Sequence, residues 1–167
     1  ARAPSAQFYV NKMLGNYFHI GMIHMMLPGA TIIDARREPI DNCFACFQRH
    51  FRSGHEFTYD LAALGRHYLR YQAVMDHWDR VLPGRVIKVQ YEDFVSDPEA
   101  QMRRLLDACG LPWADNILRF YENTRGVRTA SLAQVRQPMQ TSSIGKWKPF
   151  EAHLGPLFEA LGAVLSK

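Results

Sequence analysis

With 167 residues, a formal net charge of +4 and a pI near 9.1, the chain fits one domain and favours anionic partners in general. Its basic residues are not gathered into the runs that nucleic-acid-binding tails carry, so the expected partner is a phosphorylated small molecule and not nucleic acid. The longest nearly apolar run, Ile20 to Leu27, is interrupted by His24 and is far too short to span a bilayer, so no membrane segment is expected.

The opening Ala1-Arg2-Ala3-Pro4 has neither an initiator Met nor the charged-then-apolar order of a secretory signal and reads as a cut end. Cys43, Cys46 and Cys109 are an odd number without a second close pair, which argues against a disulfide framework and for a reducing compartment such as the cytoplasm. Cys43 and Cys46 have C-x-x-C spacing but sit in the apolar helical stretch Ile40 to Phe51 without nearby metal-ligand partners, so they read as core thiols.

In chain order, Phe8 to Val10 reads as a first strand, followed by an apolar helix from Gly15 to Leu27 that Pro28-Gly29 closes. A second strand, Ala30 to Ala35, leads to a helix starting near Pro39, a residue suited to a first helical turn. From Asp60 to Leu82 the apolar residues Leu61, Leu64, Tyr68, Tyr71, Met75, Trp78 and Leu82 keep three-four spacing, which marks one buried helix face. Pro83-Gly84 ends it, and Val86 to Gln90 reads as a covered strand interrupted only by Lys88. Ser96-Asp97-Pro98-Glu99 opens a helix running to Cys109, with Gly110 past its end. A helix from Asn116 to Glu122, an irregular polar stretch from Asn123 to Ser143 and a closing helix from Leu154 to Leu165 complete the chain.

This alternation predicts an open parallel α/β sheet. In such sheets ligands bind beyond the carboxyl ends of the strands, which would bring Lys12, Arg37 and Tyr91 to one site for an anionic nucleotide.

Four separated segments carry a resemblance. They are Asn11-Lys12 after the first strand, Arg37-Glu38-Pro39-Ile40-Asp41 after the second, Tyr91-Glu92-Asp93-Phe94 after the third, and Ala130-Ser131-Leu132-Ala133-Gln134-Val135-Arg136-Gln137-Pro138 running to Ser143-Ile144-Gly145-Lys146-Trp147. In order and spacing the chain resembles the sulfotransferases, in the branch similar to tyrosylprotein sulfotransferases and bacterial tetratricopeptide-linked sulfotransferases. The resemblance implies a parallel α/β sheet of the P-loop nucleotide-binding type flanked by helices, and transfer of a sulfuryl group from 3′-phosphoadenosine 5′-phosphosulfate to a hydroxyl or amine without a metal. The acceptor would be a small molecule, a glycan or a protein tyrosine, and a tetratricopeptide region could lie upstream.

Site residues follow from the same resemblance. Lys12 would neutralise the bridging oxygen as the sulfuryl group departs, with Ser131 on the same leaving group. Arg37 would grip the 3′-phosphate with its planar guanidinium; by spacing alone it could instead form a surface salt bridge with Glu38 or Asp41. Its usual helper is a hydroxyl eight positions on, on the helix whose first turn points donors at the phosphate. Ala45 stands there, a loss of about 1.5–3 kcal/mol if that hydroxyl bonds a charged oxygen. Arg49, one helical turn further, matches a second phosphate contact. Tyr91 would lie near the adenine or its phosphates, Gln134 and Val135 would cover the nucleotide, and Lys146 would meet phosphate, unless with Lys148 it is only a solvated basic turn.

Family members begin with a strand and a loop that holds the 5′-phosphosulfate, and in this branch the acidic general base comes from that stretch as well. Nothing before Phe8 matches it, so the expected domain is one lacking its first strand and 5′-phosphosulfate loop, with an apolar helix face between Tyr17 and Leu27 partly uncovered. The rival expectation is a non-catalytic nucleotide-binding or interaction domain on the same fold. A small-molecule kinase would need a G-x-x-x-x-G-K-[ST] loop, which the sequence does not contain. The seven histidines show no metal-binding pattern; His50 and His55 fall near the expected mouth of the site.

Overall fold

The computed structural model describes residues 7–51, 54–123, 136–139 and 141–165. Among them, helices predominate around a two-stranded parallel sheet. The elements are α1 (Ile20–Met26), β1 (Ile32–Arg36), α2 (Pro39–Phe47), α3 (Leu61–Val81), β2 (Val86–Gln90), α4 (Tyr91–Ser96), α5 (Pro98–Ala108) and α6 (Gly155–Leu161).

Local sequence accounts for most of the boundaries. Pro39 takes the first turn of α2, and the N-cap Glu38 accepts the Asp41 N–H at 2.8 Å. Asp60 caps α3 by accepting the Ala63 N–H at 2.6 Å, and Asp97 caps α5 by accepting from Ala100 at 3.1 Å. Gly84 and Gly110, with φ of 73° and 64°, end the turns after α3 and α5 in a conformation that favours glycine.

The main core is helix on helix. Ile40, Cys43 and Phe44 of α2, Leu64 and Tyr68 of α3, and Leu157 and Leu161 of α6 bury their side chains together with Leu154. At Gly65 α3 and α6 leave no room for a side chain: a Cβ there would stand 2.7 Å from Ala160 Cβ. Cys43 lies in this core, and burial pushes its thiol up to about 12.

β1 and β2 pair in parallel, with Ile32 opposite Val86 and Arg36 opposite Gln90. Parallel pairing requires a long crossover, which α2 and α3 supply. One sheet face, bearing Asp34 and Arg36, turns toward α3: Tyr71 donates to Asp34 Oδ1 at 2.6 Å, and Arg36 Nε donates to Oδ2 at 2.5 Å. Burial first, then the Asp34 hydrogen bond and charge, hold the Tyr71 phenol far above its usual pKa. Lys88, the interruption in β2, lies on that face and pairs with Asp79 of α3. Val89 on the opposite face is buried, whereas Ile33 is exposed.

Four expected elements differ. Phe8, Tyr9 and Val10 form no strand; they are exposed, without a ladder partner among the described residues, and a strand of three residues does not persist unpaired. The helix expected from Gly15 to Leu27 is a 3₁₀ helix over Leu14–His19 that passes into α1, the change falling at His19. The helix after Asn116 is 3₁₀ over Ile117–Glu122 and kinks at Arg119. The last helix is α only to Leu161, where Gly162 departs from helical geometry.

α1 packs through Gly21 against Trp78, whose Nε1 donates to the Tyr17 carbonyl at 2.7 Å. Its other side leaves Met22, Met25 and Met26 exposed beside Phe18 and Leu27, the uncovered apolar face that the sequence leads one to expect. No helix among the described residues is long and apolar enough to cross a membrane.

Candidate functional site

Parallel, in-register strands end side by side. Because Arg36 faces Gln90, the next residues, Arg37 and Tyr91, leave the sheet together, and Arg37 Cζ lies 5.0 Å from the centroid of the Tyr91 ring. A distant segment closes on the same guanidinium: Arg37 Nη2 donates to the Ser143 carbonyl. Nη2 also lies 3.5 Å from Asp41 Oδ1, while the other Asp41 oxygen accepts the Gly145 N–H at 2.7 Å. Arg37 Nε is buried and has no hydrogen-bond acceptor among the described residues. A buried N–H donor without an acceptor is costly. This one lies next to the Tyr91 ring.

The salt bridge weighed as the alternative for Arg37 is present but is not a surface pair, since Asp41 is 2% exposed. The first turn of α2 is also less open than expected. Glu38 takes the Asp41 N–H, and Glu92 Oε1 takes the Glu38 N–H at 3.0 Å while Gln90 Nε2 holds its other oxygen at 2.6 Å. Those helix donors are therefore satisfied by carboxylates.

Asp41 and Ala45, four residues apart, share a side of α2, while Arg37 stands before its N-cap Glu38 and Arg49 follows its C-cap Gln48. Ala45 and Arg49 are half-buried. Burial raises the Cys46 thiol, while the charges of Arg37 and Arg49 both act to lower it.

The other expected residues divide. Lys146 is exposed in the turn after Ser143 and follows Gly145, whose φ of 72° favours glycine. Lys12 is exposed in the extended stretch before the first 3₁₀ helix and is not joined to the Arg37 cluster by a hydrogen bond or ion pair among the described residues. Ser131, Gln134 and Val135 lie outside the described residues.

Sequence reasoning named Asp41 only as a possible surface salt-bridge partner of Arg37 and gave Glu92 no contact of its own, although both stand inside the segments that carry the resemblance. The signal for Asp41 was its place four residues after Arg37; the signal for Glu92 was a carboxylate directly after Tyr91 at a strand end. The histidines near the expected mouth join aromatic packing: His50 lies 6.2 Å from Tyr59 between ring centroids, and His55 meets both Phe51 and Phe57, while His67, on α3, stacks on Phe57 at 3.8 Å.

Residues 1–115 match the Sulfotransferase family. The chain belongs to that family. It is 35% identical over 155 residues to an uncharacterized protein of Aquifex aeolicus (strain VF5), covering 91% of this chain and 20% of that protein. It is 34% identical over 83 residues to protein-tyrosine sulfotransferase A of Caenorhabditis elegans, covering 46% of this chain and 21% of that protein. The chain thus spans about a fifth of the length of these curated relatives. The match to the family covers both strands and the residues that follow them, Arg37 and Tyr91.

Proposed function

We propose that this sulfotransferase-family chain is one domain that holds 3′-phosphoadenosine 5′-phosphosulfate as the donor in sulfuryl transfer to a hydroxyl or amine. On this reading the fold is of the P-loop nucleotide-binding type. The observation that carries it is the buried Arg37 Nε, a donor lacking an acceptor among the described residues, beside the Tyr91 ring at the carboxyl end of the sheet. Arg37 takes the 3′-phosphate, Tyr91 packs near the adenine or its phosphates, and Arg49 and Lys146 add positive charge.

In the reaction the acceptor oxygen or nitrogen attacks sulfur in line. The bond from sulfur to the bridging phosphate oxygen breaks, and its electron pair leaves with adenosine 3′,5′-bisphosphate. The acceptor proton passes to a carboxylate base, as the resemblance implies. Lys12, with Ser131, neutralises the departing oxygen, as in phosphoryl transfer, where positioning and charge stabilisation carry most of the catalysis.

Calorimetry on the 167-residue chain tests the nucleotide assignment. Adenosine 3′,5′-bisphosphate is expected to bind more tightly than adenosine 5′-monophosphate, and Arg37→Ala to erase the difference; equal affinities in the unmutated chain count against it. Ala45, with no hydroxyl on the α2 face, favours a second reading, nucleotide binding without turnover. In the longer protein, transfer from labelled donor to a tyrosine peptide or a small hydroxyl or amine acceptor supports the enzyme, and binding without transfer supports the second reading.

A further inference from the structure

Asp41 is the one charged side chain among the described residues that is nearly sealed from water. Burying a carboxylate is costly unless its partners compensate, so those partners define its task. They come from two places. Oδ2 accepts the N–H of Gly145, far away in the chain, while Oδ1 faces Arg37 Nη2 and accepts no hydrogen bond among the described residues. Asp41 is itself fixed, because its own N–H is held by Glu38, whose N–H is held by Glu92. One rigid carboxylate therefore joins the guanidinium at the end of β1 to the turn that carries Lys146.

The charge of Asp41 cannot be what helps an anion to bind. A negative group 3.5 Å from Arg37 Nη2 opposes a phosphate. Whatever it contributes must be geometric: groups already held in place need less ordering when a ligand arrives.

We propose that Asp41 is a positioning residue of the nucleotide site, holding the Thr141–Trp147 segment and the Arg37 guanidinium as one unit so that Arg37 and Lys146 meet the phosphates together. The inference rests on the nucleotide reading given above. It implies that Asp41 and Lys146 act through a single connection and are not independent.

The test is a double-mutant cycle read by calorimetry with adenosine 3′,5′-bisphosphate on the 167-residue chain, with amide hydrogen exchange over 141–147 as a second readout. Asp41→Ala is expected to weaken binding about tenfold, the loss that follows from one charge-assisted hydrogen bond. Asp41→Asn, which can still accept from Gly145, is expected to recover most of that loss. Lys146→Ala weakens binding in the unmutated chain and adds nothing once Asp41 is Ala. In the unmutated chain, the bisphosphate slows exchange across 141–147. Additive losses, or an Asp41→Ala affinity within about twofold of the unmutated chain while Arg37→Ala abolishes preference for the bisphosphate, overturn the role of Asp41 and leave the nucleotide reading standing. Absence of bisphosphate binding by the unmutated chain removes both. Should Asp41→Ala melt already unfolded, unchanged exchange on adding bisphosphate to the unmutated chain still overturns the proposal.

Discussion

The Arg37 guanidinium lies over the Tyr91 ring, its Cζ 5.0 Å from the centroid, because the strands that release the two residues are parallel and in register. Each residue follows a paired strand end, so neither needs a specialised loop to reach the other. The face of the ring limits where the guanidinium can move and leaves its in-plane N–H groups for acceptors.

Replacing the ring separates this packing from the phenol. Tyr91→Leu should weaken adenosine 3′,5′-bisphosphate binding by about 1 kcal/mol, roughly fivefold, the scale of a partly exposed cation–π contact. Tyr91→Phe should hold most of the affinity. Equal losses in the two variants, measured by calorimetry, would assign the contribution to the hydroxyl instead.

Gly65 makes a prediction whose sign runs against helix propensity. In an ordinary helix interior, Gly→Ala stabilises by about 1 kcal/mol. Here the new methyl group would stand 2.7 Å from Ala160 Cβ, so Gly65→Ala should destabilise by about 1–3 kcal/mol by forcing α3 and α6 apart. Removing the opposing methyl with Ala160→Gly in the same chain should restore part of the loss. A higher melting temperature for Gly65→Ala alone would show that the helices do not meet at this point.

Asp60→Ala should cost about 1 kcal/mol in urea unfolding, because the Ala63 N–H loses its acceptor at the start of a 21-residue helix. Asp60→Asn or Asp60→Ser should keep most of that contribution. If Ala and Asn prove equivalent, the cap is not what starts α3.

The elements that were legible in the sequence are those whose signals are local. The three-four spacing from Leu61 to Trp78, the Pro39 and Pro98 helix starts and the two strands ahead of Arg37 and Tyr91 all match the structure within a few residues. The expected strand at Phe8 to Val10 failed for a non-local reason: short β-favouring runs become strands only beside a partner, and composition does not say whether one is present. The same limit explains the core. Helical periodicity announced buried faces, but which faces met, α2 on α3 on α6, was not in the pattern. At the candidate site, Arg37 and Tyr91 were read from their positions after strands. The link from Asp41 to Gly145 spans 104 positions and had no sequence signal beyond the two residues themselves.

His67 gives the fold a pH dependence that can be isolated. Burial lowers its pKa from the usual 6.5, and Arg70 and then His55 act in the same direction. With the folded value below the unfolded one, the unfolded chain binds more protons in the interval between them, so stability rises with pH there. This contribution is complete above about pH 6.5 and is lost as pH falls through the folded-state value. The melting temperature should therefore drop between pH 7 and pH 5, and His67→Phe, which keeps an aromatic ring against Phe57 but cannot titrate, should show a shallower drop over that interval. Identical slopes in the two chains would place the acid sensitivity on other groups.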